Sequence, residues 1–569
     1  MSNPTDYNLK PVRLPRLAGL PLKLFVELLE FPLTQPVLTA SLLRSGGIAD
    51  FRQQVFDEPP TFQPDWGGAD RSVSPQAAPR AAPTATPLEN SPASGFRFAS
   101  FADYQAAYRS GRVSPLEVAR WVIESVVASN SASADRPPLR AIIACNPADV
   151  LAQAEQSAAR WRAGNPLSPL DGAPLAVKDE LDQAGYPTHV GTKVLGSAAA
   201  AADAEAVARL RAAGALLFGK ANMHEIGIGM TGHNSHFGAV RNPYHLNHYP
   251  GGSSSGPAAA VAAGLCPAAL GADGGGSIRI PAGFCGLVGL KPTFGRVSER
   301  GAAPLCWSVA HIGPLAASAA DAAILYALIA GVDPLDANTL RQPPVSLAGF
   351  NDFNLRGLRI GVYPAWFNHA SPQVVARCEA LLAEFVRMGA EQVEIAIADL
   401  ESIRVGHVIT IVSEMYTSLA AAFQRRKRAF GLDVRANFAL AQAFSARDYV
   451  QAQRARTRAI RSFSAVLEQV DVIATPTAAI SAPPIQPDAV LDGDSDLSTL
   501  TEIMRFSVAA NLTGLPAVSI PAGYDAAGLP VGLQLIGSAW SEALLLRLAN
   551  AAGQVVERRK PQLLYQPPL

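Results

Sequence analysis

Near the start of the chain, apolar residues recur at the spacing of a helix. Leu22, Phe25, Val26 and Leu29 fall at i, i+3, i+4 and i+7, and Pro21 suits a first helical turn. Leu24 and Leu28 widen that face, leaving Lys23, Glu27 and Glu30 as a narrow polar stripe. A second short helix is predicted over 37–44, stopped by Gly46-Gly47. Residues 1–62 therefore read as an amphipathic helical extension. It either docks on the body or presents an apolar surface to a membrane or to another protomer. Residues 63–95 are rich in Pro, Ala, Ser and Gly, bury too little to offset ordering, and are predicted to be a linker. From residue 96 onward the pattern changes. Ser114-Pro115-Leu116-Glu117 is a capping box opening a helix through Val126. Apolar strands are predicted at 139–145, 174–177, 215–218 and 267–271, with helical stretches such as 202–213 between several of them. Further helical patterns cover 372–387 and a charged stretch at 423–459, and late strands are predicted at 517–520 and 531–536. Strand–helix alternation of this kind argues for a layered α/β fold.

Composition narrows the picture. The 569 residues carry 47 basic and 47 acidic side chains, and 49% are hydrophobic. That supplies a large core and no electrostatic footprint for nucleic acid. Five scattered cysteines without C-x-x-C argue against a disulfide framework, a thiolate zinc site or a dithiol pair. No run reaches the roughly 18 apolar residues of a membrane span. The one N-terminal apolar region is interrupted by Pro21, Lys23, Glu27, Glu30 and Pro32, unlike a signal peptide. A reducing, cytoplasmic setting is the expectation, with peripheral membrane contact through the N-terminal helices.

Several constellations compete for the chemistry. His224, His233, His236, His245 and His248 cluster in sequence, but His224-Glu225 is not followed by a second histidine at H-E-x-x-H spacing, so no metal is expected. Gly252-Ser253-Ser254-Ser255-Gly256 formally satisfies G-x-S-x-G around Ser254, yet residues 241–250 do not form the strand a nucleophile elbow needs. The Gly274–Gly276 run lacks a following G-K-[ST], which argues against nucleotide. The remaining arrangement combines Lys178 at the end of an apolar strand, Ser253 after two glycines, and Ser277 after the glycine run. A serine needs a base to become a nucleophile, and a lysine serves only when unprotonated. Backbone N–H groups beside Ser277 are of the type that holds an oxyanion.

Together these segments resemble the amidase signature enzymes. The resemblance runs through LDGAPLAVKD (170–179), FGKANMHE (218–225), PGGSSSG (250–256), ALGADGGGSIRIPAGFCGLVGLK (269–291), DVIATPT (471–477) and 511–537. It implies an α/β fold with a large twisted mixed sheet packed between helices over 96–569, and Ser–cis-Ser–Lys catalysis. By motif, Ser277 is the implied nucleophile, Ser253 the relay and Lys178 the base. Gly274, Gly275, Gly276 and Ser277 are the implied oxyanion donors, and Ser254 and Arg279 match supporting positions. No cofactor is implied. Ser255 stands where most relatives have glycine, and Pro257 replaces a small polar residue.

Within the family the chain is most similar to the plant-type fatty acid amide hydrolases, including the segments 17–33 and 51–66. That implies a lipid-like amide substrate such as an N-acylethanolamine, a homodimer, and membrane association. It also makes Ile228 and Met230 candidate acyl-chain contacts. Small aryl or indole acetamides are an alternative substrate class, and an amidotransferase subunit is an alternative function.

Overall fold

The computed structural model describes residues 7–12, 14–67, 95–133 and 136–569. Most of the segment expected to be a linker, 68–94, lies outside the described residues. One sheet of 11 strands organises the body. In chain order they are β1 (Ile142–Ala144), β2 (Pro174–Lys178), β3 (Leu216–Ala221), β4 (Ala268–Ala272), β5 (Val288–Lys291), β6 (Ile312–Ala316), β7 (Arg359–Val362), β8 (Glu391–Glu394), β9 (Val472–Pro476), β10 (Ala517–Tyr524) and β11 (Pro530–Gly537). Their spatial order is β1-β3-β2-β4-β6-β5-β10-β11-β9-β7-β8. β2 is parallel to both β3 and β4, whereas β4 to β6 and β10 to β11 are antiparallel, so the sheet is mixed.

The central strands are buried along their length because helices cover both faces. Alternation then assigns each residue to one of two cores. Leu175 and Val177 of β2 join one apolar cluster, and Ala176 joins the other. On β4, Ala269 falls in the same cluster as the alanine-rich helix Ser255–Ala262. Small side chains on both partners allow that helix to lie close on the strands.

Local signals decide where helices start. Ser114 and Glu117 form the reciprocal capping box and open α3 (Pro115–Asn130). The expected strand over 139–145 is cut to three residues because Arg140 takes φ 57° and breaks the extended run. The charged stretch at 423–459 is not one helix. It is divided between the end of α4 (Leu400–Arg426), then α5 (Leu432–Ala441) and α6 (Ala446–Leu467). Gly431 precedes α5, and Ser445 with Asp448 caps α6.

The N-terminal helices are α1 (Gly19–Glu30) and α2 (Gln35–Ser45). α1 docks on α5: Leu22 and Val26 pack with Leu432, and Arg435 donates to Glu27 at 2.8 Å and to Glu30 at 2.7 Å. The apolar face predicted for α1 is therefore split. Leu22, Val26 and Leu29 turn inward, while Leu20, Leu24 and Leu28 are 67%, 54% and 49% exposed. Farther on, residues 58–62 run along α6, and Trp66 reaches the helix Val508–Thr513. Arg454 donates to the Glu58 carbonyl at 2.7 Å, Thr61 N–H to the Gln453 carbonyl at 3.1 Å, and Trp66 Nε1–H to the Thr513 carbonyl at 3.0 Å.

Candidate active site

Lys178 ends β2 between its two parallel neighbours and is 1% exposed. Its Nζ donates to Ser253 Oγ at 2.9 Å and to the Ala272 carbonyl at 3.1 Å. Glu180 Oε2 lies 2.6 Å away. The Gly252–Ser253 peptide is cis, and the chain then enters the helix Ser255–Ala262. Pro257 falls in the first turn of that helix, where an N–H has no intrahelical acceptor, so proline removes no helical bond there. Gly256 is needed for close approach: a Cβ would lie 2.4 Å from Asn222 N.

Ser254 is held rather than free. Its Oγ donates to the Ala272 carbonyl at 3.1 Å and accepts from Ala272 N–H at 3.3 Å. Its own N–H donates to the Ser277 carbonyl at 3.2 Å, tying the serine run to the glycine run. The elbow geometry that would make Ser254 a nucleophile is absent, because no strand among the described residues leads into it.

The loop after β4 carries Gly274–Ser277 over a buried charge network. Asp273 accepts from Gly276 N–H at 2.6 Å, Ile278 N–H at 3.0 Å and Arg279 Nε at 3.0 Å. Asn511 Nδ2 donates to the same carboxylate at 2.9 Å. Arg279 also donates to Gln534 Oε1 at 2.6 Å, Asn511 Oδ1 at 2.5 Å and the Ser507 carbonyl at 2.9 Å. Burial alone would push the Asp273 carboxyl up, but the adjacent Arg279 guanidinium outweighs it and holds the group far below the usual carboxylate range. Gly276 has φ 125°, and a Cβ there would lie 2.5 Å from Ile280 Cδ1. Its N–H is already engaged by Asp273. The N–H groups of Gly274, Gly275 and Ser277 have no protein acceptor among the described residues.

From α4, His407 Nε2–H donates to the Gly274 carbonyl at 2.8 Å. Burial lowers this imidazole to about 4, so it is a neutral donor at pH 7. Ser277 Oγ lies 3.6 Å from Met230 Sδ. Met230 and Ile228 line a cavity of about 160 Å³ together with His224 and His233. Two of the clustered histidines are taken up by carboxylates: His224 Nε2 pairs with Asp433 at 2.7 Å, and His236 Nε2 with Glu225 at 2.6 Å.

Glu180, Asp273, His407, Asn511 and Gln534 adjoin these groups, and the local sequence does not assign them. Asp273 stands directly before the glycine run, and Glu180 two residues past the strand lysine, so both adjoin recognisable motifs. His407, Asn511 and Gln534 arrive from distant elements, and nothing in their local sequence marks them.

Comparison with known proteins gives a consistent result. The family described as Amidase matches residues 125–546. A fatty acid amide hydrolase of Arabidopsis thaliana is 40% identical over 585 aligned positions, covering 98% of this chain and 96% of the relative. A fatty acid amide hydrolase of Medicago truncatula is likewise 40% identical, covering 98% of this chain and 96% of its own. Among solved structures, the native peptide amidase of Stenotrophomonas maltophilia superposes with a TM-score of 0.69 at 31% identity, over 82% of this chain and 98% of that one.

Proposed function

The chain belongs to the amidase signature family and is an amide hydrolase; from that premise we propose that it cleaves fatty acyl amides through an acyl-enzyme at Ser277. In this reading the substrate carbonyl oxygen points at the N–H groups of Gly274, Gly275 and Ser277. Ser277 Oγ attacks, and its proton passes to Ser253 Oγ, which releases its own to Lys178. The resulting ammonium lies beside the Glu180 carboxylate. Collapse of the tetrahedral intermediate returns a proton to the departing amine, and water then repeats the sequence on the acyl-enzyme. Each oxyanion donor contributes on the order of 10²–10³ in kcat, and the base about 10²–10⁴. The observation that carries the assignment is the buried Lys178 Nζ to Ser253 Oγ hydrogen bond of 2.9 Å. Labelling of Ser277 by an activated phosphonate, lost in Ser277→Ala, tests it; labelling at Ser254 would overturn it.

Two observations support a lipid-like substrate. The Arabidopsis relative aligns over 98% of the chain, which takes in the N-terminal helices. On α1 and the turn after it, Leu20, Leu24, Leu28, Phe31 and Leu33 are exposed apolar residues beside the docked face. No helix among the described residues is long and apolar enough to cross a membrane. Such a surface suits peripheral insertion into a bilayer, where substrate would be collected. Lys substitution at Leu24 and Leu28 together should reduce co-sedimentation with vesicles severalfold, and unchanged binding would remove the membrane role. A chain-length series should favour long acyl amides over acetyl amides in kcat/KM, since each buried methylene contributes about 0.8 kcal/mol. Preference for acetamides would keep the amidase and discard the fatty substrate. Turnover by the isolated chain separates this reading from a partner-dependent amidotransferase, and sedimentation checks the homodimer that the plant-type reading includes.

A further inference from the structure

The segment 58–62 meets α6 through three arginines, and one of them reaches beyond it. Arg454 donates to the Glu58 carbonyl at 2.7 Å, and Arg458 donates to the two Glu58 carboxylate oxygens at 3.0 and 3.1 Å. Thr61 N–H donates to the Gln453 carbonyl at 3.1 Å, and the Thr61 and Thr457 hydroxyls lie 2.7 Å apart. Arg456 stands between the other two arginines in sequence and is fully buried. One arm of its guanidinium, Nη1, donates to the Phe62 carbonyl, and the other, Nη2, donates to Ser308 Oγ at 2.8 Å. A single buried fork thus joins the N-terminal segment to the loop between β5 and β6.

That loop backs the glycine run. The buried Ser308 hydroxyl stands between opposite charges, accepting from Arg456 and donating to Glu414 Oε1 at 2.5 Å. Its backbone N–H donates to Glu414 Oε2 at 3.1 Å, and the Tyr449 hydroxyl donates to Oε1 at 2.9 Å. Burial lowers the Arg456 guanidinium to about 10, against the pull of Glu414 and Tyr449, so it remains a cation at pH 7. On either side of Ser308 the loop touches the groups around Ser277. Cys306 packs on Gly274, where a Cβ would lie 2.9 Å from its sulfur. The Val309 carbonyl accepts from Asn511 Nδ2 at 3.2 Å, and the His311 carbonyl accepts from Asp273 N–H at 2.8 Å. A shift of Ser308 is therefore passed to Gly274 from one side and to Asp273 from the other. Misplacement by about 1 Å, even from a distant change, can cost on the order of 10²-fold in rate.

We infer that Arg456 and Ser308 are positioning residues that couple the docked segment 58–62 to the Gly274–Ser277 loop, so that seating the N-terminal extension sets the geometry of the oxyanion donors. The inference rests on the reading of that loop as the oxyanion site and deepens it. It gives the extension a part in turnover that is separate from any contact α1 makes with a membrane.

The test uses the full chain with dodecanamide as substrate and reads kcat and KM separately. Ser308→Ala removes a single oxygen. It should lower kcat about tenfold or more and leave KM within about twofold, because an oxyanion donor acts in the transition state and not in ground-state binding. Arg456→Lys keeps the charge but cannot fork between the Phe62 carbonyl and the Ser308 hydroxyl, and should fall at least as far. Two variants loosen the segment itself: Thr61→Pro deletes the N–H bond to Gln453, and the milder Glu58→Ala frees Arg458 should Thr61→Pro fail to fold. Each should lower kcat severalfold in the wild-type background and add little in Ser308→Ala, since effects within one network are not additive. Wild-type kcat in folded Ser308→Ala, a loss carried by KM instead, or segment variants that either have no effect or multiply with Ser308→Ala would each overturn the inference. A wild type that leaves both dodecanamide uncleaved and Ser277 unlabelled by phosphonate would bring down the active-site reading, and the coupling with it.

Discussion

Two buried polar regions flank the Ser277 hydroxyl, and they are built on opposite terms. Behind it, Asp273, Arg279, Asn511 and Gln534 satisfy one another through hydrogen bonds of 2.5–3.1 Å. In front, across Met230, the ring nitrogens of His233 and the hydroxyl of Tyr249 have no partner among the described residues. A fully satisfied network in a low-dielectric interior is rigid, and each bond polarises the next. That suits a loop whose backbone N–H groups must stand ready for charge that develops only in the transition state. An unsatisfied region has the reverse property, because buried polar atoms without partners cost stability. The contrast separates a network that holds the loop from buried groups that no atom of the described residues satisfies.

The comparison is broken most severely at the reacting atom. Ser277→Ala should remove acylation, with a fall in kcat on the order of 10⁶, as for other serine nucleophiles acting within a unit. Lys178→Ala should fall comparably in single-turnover acylation, because the relay then has no acceptor; near-normal acylation would exclude the lysine. The next effect is on stability. Asp273→Ala leaves Arg279 buried without its counterion and should cost about 3–5 kcal/mol in denaturant unfolding. The Asp273 carboxyl is depressed in the fold, so its contribution is full above the unfolded value of about 3.9 and is lost only as pH falls below it. Equal stability of wild type and variant at pH 7 would mean the network is not what holds the loop.

How much of this is legible in the sequence follows from range. Lys178, Ser253 and Ser277 stand at ends of apolar strands or glycine runs, where local pattern and motif coincide, and the fold brings Lys178 onto Ser253. The capping box at Ser114 and the helix at Pro372–Arg387 are likewise local and readable. The charged region at 423–459 reads as one helical stretch because its charge pattern is continuous, whereas Gly431 and the Ser445–Asp448 cap divide it. By motif Gly276 is one of four equivalent oxyanion donors, and only the folded loop reveals that Asp273 occupies its N–H. The split of α1 into a docked and an exposed leucine face requires knowing where α5 lies. His233 belongs to a run of histidines that suggests a metal site at first sight, and only the fold shows that its ring nitrogens are left unbonded.

The smallest effect is also the most discriminating, because its sign is opposite to that of Asp273. Replacing His233 with leucine removes polar atoms that have no partner, so stability at pH 7 should change by no more than about 1 kcal/mol, or rise. The variants should then diverge in acid. An unfolded histidine titrates near 6.5, and burial lowers the folded His233 to about 4, with Asp433 and Asp492 raising it and His224 lowering it further. Between those values the unfolded state binds a proton that the folded state refuses, so wild-type stability falls as pH drops. A difference of that size corresponds to roughly 3 kcal/mol once pH reaches the folded value. His407 shares this behaviour, so both proteins lose stability in acid, and the informative quantity is the gap between them. Denaturant midpoints across pH 7.5 to about 4.5 should show His233→Leu gaining steadily on wild type. A constant gap would mean that His233 finds a partner in solution, and that the two sides of Met230 are alike after all.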